Sequence, residues 1–297
     1  MTHVPVLLNE VIESLNVKSD GVYVDLTLGG GGHSYEVLKR LNHRGFLIAF
    51  DQDLEAINYA SEKLKDFNNK IIIHSNFKDA KKHLIELGYD HVDGIFMDLG
   101  MSSFQIDDSE RGFSYMEDGP LDMRMNQNNP LTAEEILNSY SLSDLNNIFK
   151  VYGEEPKSYL IAKKIIQNRP LKTTFDLVNI TDQYKTGSGH SAKRVFQALR
   201  IYLNNEIHVL ETVLPDALSL LKKDGVISVL TFHSLEDRIV KHFIKENVEE
   251  PFIKGLPTLP KEMPLRYYNK KPILPSESEI RSNPRAKSAK LRAAIKN

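Results

Sequence analysis

The chain has 297 residues, which is enough for one large domain or two of ordinary size. Its hydrophobic content of 41% and charged content of 26% are those of a soluble globular protein. It contains no cysteine, which excludes disulfides, thiolate metal ligands and a cysteine nucleophile. The net charge of −2 argues against a general nucleic-acid binder, but the segment from Lys261 to Asn297 holds ten Lys or Arg and only three Glu. That asymmetry indicates either a polyanionic partner or a solvated, charged terminus.

The N-terminal segment, MTHVPVLLNEVIESL, lacks the basic and uninterrupted apolar stretches of a signal peptide. No stretch of the sequence approaches the roughly 18 apolar residues that span a membrane. We therefore expect a cytoplasmic protein without a membrane partner. Residues Val4 to Leu15 have the pattern of a short amphipathic helix that precedes the first strand.

The stretch from Val22 to His33, VYVDLTLGGGGH, is the most informative part of the sequence. Its alternating apolar residues predict a strand, and Gly29 to Gly32 predict a loop in which no Cβ is tolerated. A helix is expected to begin at His33. Strand, glycine loop and helix start together indicate a nucleotide-type cofactor site, and the alternative is a flexible turn.

Two missing signatures narrow the choice of cofactor. A dinucleotide fingerprint that began at Gly29 would need glycine where this chain has Ser34, and a phosphate-binding P-loop would need a lysine after the glycines. Both absences argue against pyrophosphate ligands. They favour S-adenosylmethionine, which carries no phosphate.

The next elements predict a parallel sheet that is covered by helices on both faces. The predicted strands are Gly45 to Phe50, Lys70 to Ser75 and Val92 to Leu99, with helices at Leu54 to Phe67 and Lys78 to Leu87. The alternation then stops, and residues 105–202 contain turns and helical segments without a convincing buried strand.

The α/β pattern resumes after this insertion. We expect a helix from Asn204 to about Leu221, a buried strand from Val226 to Phe232, and a helix that Ser234 caps. Residues Arg285 to Ala294 are a candidate edge strand. The predicted fold is α/β, a Rossmann-like class I methyltransferase sheet in residues 1–104 and 203–297, with an inserted helical domain for substrate recognition in residues 105–202.

Several side chains with chemical potential end predicted strands, where open α/β sheets bind their ligands. Asp51 suits the hydroxyls of a ribose, although it could also cap the next helix. Phe77 could flank an adenine or belong to the core. Asp25 is expected to anchor the loop or to meet the methionine ammonium, and Asp98 ends the fourth strand.

The last strand leads into FHSLEDR, in which His233 could act as an acid, a base or a ligand, or be structural. No second His or Cys stands at metal-ligand spacing, so we expect no metal. In the insertion, arginines alternate with aromatic residues. Such sets suit an unpaired nucleic-acid strand, although an ordinary helical domain has surface arginines too.

These motifs closely resemble the RsmH (MraW) family of bacterial ribosomal RNA methyltransferases. The matching stretches occur in family order and are HVPVLL from His3, DLTLGGGGHS from Asp25, FDQD from Phe50, DLGMSS from Asp98, ERGFSY from Glu110, GPLDMRM from Gly119, YGEE from Tyr152, KRVFQALRI from Lys193, FHSLEDR from Phe232 and NPRAKSAKLR from Asn283.

The resemblance implies S-adenosylmethionine-dependent methylation of the N4 amine of a cytidine in 16S rRNA, at the decoding centre (P site) of the small ribosomal subunit. Carried over by motif, the cofactor contacts are Gly31, Gly32, His33, Asp51, Phe77, Asp98 and Gln105. One departure is Phe104, where the family usually has proline, so the loop before Gln105 lacks the fixed φ of that residue.

The expected chemistry requires a hydrogen-bond acceptor for the N4 amine, because the lone pair of that amine is delocalised into the ring. The candidate catalytic residues are Asp98, Ser102 and His233. The candidate RNA contacts in the insertion are Arg111, Phe113, Arg124, Lys193, Arg194 and Arg200.

Two other functions stay open. Methylation of a DNA amine is the nearest rival, although the motif that many such enzymes carry, an Asp, Asn or Ser followed by Pro-Pro and an aromatic residue, is absent. A non-catalytic ribosome-assembly factor that uses the fold only to bind RNA is the other. Methylation of cytosine C5 through a covalent adduct is excluded, because it needs a cysteine. The partner is expected to be the small-subunit rRNA or the small subunit itself, and the sequence leaves a homodimer open.

Overall fold

The computed structural model describes residues 5–185, 189–250 and 262–297. The chain divides into two compact units, of which the first comprises 1–100 with 208–297 and the second comprises 101–207. The sequence placed the inserted helical domain at 105–202. None of the helices in the described ranges is long and apolar enough to cross a membrane.

The first unit is built on a seven-stranded sheet, with strand order β3-β2-β1-β4-β5-β7-β6. The strands are β1 (Val22–Asp25), β2 (Phe46–Asp51), β3 (Lys70–His74), β4 (Val92–Asp98), β5 (Leu221–Thr231), β6 (Leu265–Tyr267) and β7 (Lys290–Lys296). Strands β1 to β5 are parallel, and β7 pairs with β5 and β6 in the antiparallel sense. The predicted Rossmann-like α/β class is confirmed. The prediction of an edge strand at Arg285 to Ala294 is wrong about its position in the sheet. A strand is present there as β7, but β7 lies inside the sheet and β6 forms the edge.

The α-helices of the described ranges are α1 (Leu8–Leu15), α2 (Gly32–Leu38), α3 (Leu54–Lys63), α4 (Ala80–Glu86), α5 (Ser103–Asp107), α6 (Ala133–Ser139), α7 (Leu142–Gly153), α8 (Ser158–Gln167), α9 (Thr174–Asp182), α10 (Lys193–Leu203), α11 (Glu206–Leu220), α12 (Ser234–Val248) and α13 (Glu277–Ser282). Short 3-10 turns occupy Phe77–Asp79, Ser109–Arg111 and Pro284–Ser288.

Two apolar layers cover the faces of the sheet, as the continuous apolar strands predict. Successive residues of a strand point to opposite faces, so Tyr23 and Val24 belong to different layers. Helices α4, α11 and α12 contribute to the layer around Val24, and α1, α2 and α3 contribute to the layer around Tyr23. Burial on both faces fixes the position of each strand end. The carboxyl ends of β1 to β5 therefore form one edge, which we call the carboxyl edge.

The second unit is helical, with its own core of side chains from α6 to α10 and from the segment before them. Side-chain caps define several helix starts. The hydroxyl of Thr132 accepts a hydrogen bond from the backbone of Glu135 at 3.1 Å, and complete capping boxes begin α7 at Ser141 and α9 at Thr173. These local signals fix the residues at which the helices of this unit begin.

A buried ion pair links α10 to the start of α11. The guanidinium of Arg200 makes two hydrogen bonds to the carboxylate of Glu206, at 2.8 and 2.9 Å, and the two side chains are 8% and 13% exposed. A bidentate pair with so little water is expensive to break, because each charge has lost most of its hydration.

We expect Arg200→Ala to lower the free energy of unfolding by about 3 kcal/mol, because it removes the bidentate partner of a largely buried carboxylate. Urea denaturation followed by circular dichroism measures this loss. Lys193→Ala, at the exposed start of the same helix, is the control and should change stability by less than about 0.5 kcal/mol. Equal, small effects of the two substitutions would contradict the structural role of Arg200.

Candidate cofactor site

The glycine loop joins β1 to α2, and backbone conformation explains two of its glycines. Gly29 has a φ of +47° and Gly31 a φ of +67°, which side-chain-bearing residues rarely adopt. A Cβ on Gly29 would come no closer than 3.9 Å to any protein atom. The space over that residue is therefore open, as a loop that a ligand approaches requires.

Gly32 is needed for a different reason. A Cβ at this position would lie 2.2 Å from Cγ of Pro5, because the segment before α1 packs directly on the loop. The carbonyl of Val6 in the same segment lies 3.0 Å from Nε2 of His33. Part of the glycine run therefore serves packing against the N-terminal segment, in keeping with the prediction of a loop in which no Cβ is tolerated.

Asp25 lies beneath the loop and is 1% exposed. Its Oδ2 accepts a hydrogen bond from the hydroxyl of Ser34 at 2.6 Å, and its Oδ1 accepts one from the backbone of Thr27 at 3.0 Å. Burial raises the pKa of Asp25 to about 7, against the lowering effect of these hydrogen bonds. Of the two roles considered from the sequence, the contacts match the loop anchor.

Asp51, the last residue of β2, also holds the loop. Its Oδ2 accepts the N–H of Gly29 at 2.8 Å, and its Oδ1 accepts the N–H of Asp53 at 2.9 Å. Asp53, not Asp51, is the N-cap of α3, since its side chain accepts the N–H of Glu55. The alternative interpretation of Asp51 as a helix cap is therefore wrong. Burial raises the pKa of Asp51 to about 6.

Asp98 ends β4 next to the loop. Its N–H donates to Oγ1 of Thr27 at 2.6 Å, and its Oδ2 lies 3.6 Å from Nδ1 of His33. If Nε2 of His33 donates to Val6, as the 3.0 Å contact indicates, Nδ1 is the nitrogen that faces the carboxyl. Burial, followed by the charges of Asp25 and Glu236, raises the pKa of Asp98 to about 8.

Three carboxyl groups with raised pKa values thus converge at the carboxyl edge, on the adjacent strands β1, β2 and β4. The charge of Asp51 raises the pKa of Asp25, and the charge of Asp25 raises that of Asp98. A cation placed near such carboxyl groups favours their ionised forms and so stabilises them when they are charged together. The arrangement therefore favours a positively charged ligand.

Phe77 begins the 3-10 turn after β3 and is half-buried against the core, so it lies at the same edge of the sheet. Gln105 belongs to the second unit, where it forms a capping box with Ser102, the N-cap of α5. Its Oε1 accepts the N–H of Ser102 at 3.1 Å. The cofactor contacts of Phe77 and Gln105 and the catalytic role of Ser102 stay predictions.

His233 has a structural role at the start of α12, one of the alternatives that the sequence left open. It is the N-cap of α12, where its Nδ1 accepts the N–H of Glu236 at 3.4 Å and its Nε2 lies 2.9 Å from Oε1 of Glu236. The side chain is only 8% exposed. Both ring nitrogens therefore face Glu236, and the catalytic role of His233 stays a prediction. The prediction that Ser234 caps this helix is wrong.

Three of the predicted RNA contacts are buried, which corrects the assignment. Arg111 is 3% exposed, Phe113 is 4% exposed and Arg200 is 7% exposed. The guanidinium of Arg111 donates to the carbonyl of Arg124 at 3.0 Å, and Arg200 binds Glu206. These arginines organise the helical unit from within, because their charged groups find partners that the linear sequence does not show.

Arg124 is also committed to its own segment. Its guanidinium binds the carboxylate of Asp122 and the carbonyls of Gln127 and Asn129, at 2.7 to 3.1 Å. This set of contacts shapes the turn before α6, so we assign Arg124 a structural role in place of an RNA contact. Lys193 and Arg194, by contrast, are exposed on the first turn of α10.

Sequence reasoning missed several residues that shape the site. Thr27 links two of the carboxyl residues, Ser34 binds Asp25, and Pro5 and Val6 pack on the loop. The sequence contained a signal for Thr27 and Ser34, since both are hydroxyl residues that flank the glycines close to the end of a strand. The packing of Pro5 joins segments 27 residues apart and could not be read from local pattern.

The sequence profile of the MraW methylase family matches residues 1–297. The chain belongs to this family. It is 55% identical over 299 residues to ribosomal RNA small subunit methyltransferase H 1 of Acholeplasma laidlawii, with 100% of this chain and 99% of that protein covered. It is 50% identical over 306 residues to ribosomal RNA small subunit methyltransferase H of Clostridium botulinum (99% and 98% covered) and 50% identical over 297 residues to that of Onion yellows phytoplasma (99% and 97% covered).

Membership of the MraW methylase family identifies the cofactor as S-adenosylmethionine, as predicted. The residues present fit this group. The open space over Gly29 admits a ligand close to the backbone, and the three carboxyl groups suit a molecule with a sulfonium and an ammonium charge. When bound, the cofactor supplies an electrophilic methyl group. We propose that Asp51 would hold its ribose and that Gly31, Gly32, His33, Phe77 and Asp98 would complete the part of the site that lies in the first unit.

We expect Asp51→Ala to weaken S-adenosylmethionine binding about tenfold to a hundredfold, since the substitution removes the carboxylate that we propose for the two ribose hydroxyls. Isothermal calorimetry on the purified protein measures this change. Asp53→Ala is the matched control, because it removes a neighbouring carboxylate that caps α3 and should cost about 1 kcal/mol of stability without changing affinity. Equal losses of affinity in both variants would remove Asp51 from the ribose site.

We expect cofactor binding to release protons near neutral pH. Without ligand the pKa values of Asp51, Asp25 and Asp98 are raised to about 6, 7 and 8, so part of these groups is protonated at pH 7. A cation favours the ionised forms, so affinity should rise from about pH 6 to about pH 8. Calorimetry in buffers of different ionisation enthalpy measures the released protons, and Asp98→Asn should reduce their number. Proton uptake on binding would contradict the assignment.

Proposed function

We propose that the chain transfers a methyl group from S-adenosylmethionine to the N4 amine of one cytidine in 16S rRNA, at the decoding centre (P site) of the small ribosomal subunit. The observation that carries this proposal is the similarity to small-subunit rRNA methyltransferases across 99–100% of the chain. The loop and carboxyl residues of the first unit support it, since they form a site suited to the methyl donor. A ribosomal substrate also implies that the protein works in the cytoplasm.

The chemistry asks two things of the protein. It must hold N4 in line with the methyl group at near-attack distance, and it must accept a hydrogen bond from the amine as positive charge develops. We propose Asp98 as this acceptor. Its side chain is 24% exposed, whereas the carboxyl of Asp25 is buried and engaged by Ser34 and Thr27.

The protonation state of Asp98 fits this role only when a cation is present. The raised pKa of about 8 keeps much of the carboxyl neutral at pH 7 in the ligand-free protein. With a sulfonium bound nearby, that pKa would fall, so the carboxyl of Asp98 would be ionised and able to accept the hydrogen bond. The backbone link from Asp98 to Thr27 holds the end of β4 beside the glycine loop. The base itself must leave its stack to reach such an acceptor.

The proposal is tested by mass spectrometry of rRNA nucleosides from cells with and without the protein. We expect one N4-methylated cytidine to disappear without it and to return with the wild-type chain. Asp98→Asn should restore it at a rate lower by about 10² to 10³, the reduction typical when a transition-state hydrogen-bond partner is removed. Asp66→Asn, at an exposed position, is the control and should restore it fully.

The same experiment separates the rival functions. A methylated amine that is found in DNA but not in rRNA would establish the DNA methyltransferase. Unchanged nucleosides together with defective small subunits would establish the non-catalytic assembly factor.

A further inference from the structure

The charges of the helical unit are unevenly distributed along its sequence. Residues 101–149 contain two Lys or Arg and nine Asp or Glu, whereas residues 150–207 contain ten and five. Among the exposed charged residues of 150–207, seven are basic and three are acidic. The basic ones are Lys150, Lys157, Lys163, Lys172, Lys185, Lys193 and Arg194, and the acidic ones are Glu154, Asp176 and Asp182. The surface of this half is therefore basic, although the unit as a whole is not.

Helix α8 combines this basic charge with an exposed aromatic ring. Its sequence, SYLIAKKIIQ, contains two lysines and no acid. Ile161 and Ile165 face the core, while the opposite side carries Tyr159, which is 53% exposed, and Lys163. Residues four apart are neighbours on a helix surface, so the ring of Tyr159 and the stem of Lys163 share one face.

The first turn of α10 adjoins the end of α7 and the connection that leads to α8. A guanidinium nitrogen of Arg194 lies 3.9 Å from the carboxylate of Glu155, which also accepts the N–H of Lys157 at 2.9 Å. Gly153 packs so closely on the carbonyl of Arg194 that a Cβ there would be 2.6 Å away. Glu155 is 6% exposed, so Lys157 and Arg194 are exposed while the carboxylate that both contact is buried; the exposed acid nearest in sequence is Glu154.

We propose that Lys157, Tyr159, Lys163 and Arg194 form an RNA-binding surface, here called the α8 face, that holds an unpaired segment of the rRNA substrate. This inference rests on the proposed function. Ammonium and guanidinium groups bind phosphate, and an exposed ring stacks on a base of any sequence. Unpaired RNA offers both partners together, because its bases are free of a duplex. Exposed apolar side chains alone would suit a protein partner. The excess of exposed Lys and Arg over acidic residues favours a polyanion instead.

The test is the affinity for protein-free small-subunit rRNA, measured by filter binding at several salt concentrations. A plot of log affinity against log salt has a negative slope. The double variant Lys157→Ala/Lys163→Ala should make this slope less steep by about 1.4, or about 0.7 for each phosphate that is no longer neutralised. Tyr159→Ala should weaken binding about tenfold with little change of slope, and Tyr159→Phe should retain the wild-type affinity because the ring is kept.

Matched controls are available in the chain. Phe175 is 40% exposed in the same unit, but its N–H donates to the carboxylate of Asp118 at 3.0 Å, so Phe175→Ala removes an exposed ring from an acidic environment. Lys65→Ala/Lys82→Ala removes two exposed lysines from the first unit. Both controls should bind rRNA as the wild type does. All variants should bind S-adenosylmethionine equally in calorimetry, which shows that they are folded.

Each other outcome is decisive. Wild-type affinity in the α8-face variants, with a wild type that methylates rRNA, overturns the α8 face and leaves the proposed function intact. Weaker binding to assembled small subunits but not to protein-free rRNA overturns RNA as the partner and assigns the face to a ribosomal protein. A wild type that neither binds nor methylates rRNA overturns the proposed function, and the α8 face with it.

Discussion

The first unit depends on the attachment of its glycine loop to the ends of three parallel strands. Glycine residues lose much conformational entropy on folding and carry no side chains to pack, so such a loop is not held by its own contacts. Here, carboxylates hold it through the backbone. Asp51 accepts the N–H of Gly29, Asp25 accepts that of Thr27, and the Thr27 hydroxyl accepts that of Asp98. The loop is therefore shaped before a cofactor arrives, which lowers the ordering cost of binding.

The same carboxylates make the ligand-free site electrostatically unfavourable. Their pKa values of about 6, 7 and 8 lie well above the usual value near 3.8, so the folded chain keeps protons that the unfolded chain has released. These groups consequently destabilise the ligand-free fold progressively as the pH rises from about 4 to about 8. A cationic cofactor would favour the ionised carboxylates and so offset this loss of stability. The three carboxyl groups therefore explain two properties together: they destabilise the site when it is empty, and they favour a sulfonium ligand.

The helical unit shows why arginine in a motif is weak support for nucleic-acid binding. Arg111 and Arg200 belong to long motifs, yet both are buried, and Arg124 binds the carbonyls and carboxylate of its own turn. A guanidinium has five donors in a planar fork, which suits it to hold irregular backbone together. Lys193 and Arg194 remain at the surface, on the first turn of α10.

The sequence by itself determined the class of the fold, the order of the elements and the cofactor, because apolar periodicity, caps and the glycine run are local properties of the chain. It also brought Asp25, Asp51 and Asp98 to one edge, since parallel strands that are buried on both faces must end together. Only the tertiary structure decided which side chains are free. The burial of Arg111 and Arg200 depends on packing that only folding supplies, and the need for Gly32 depends on Pro5. Burial and pairing are three-dimensional quantities, so the glycine loop could be predicted in outline but not the contacts that hold it.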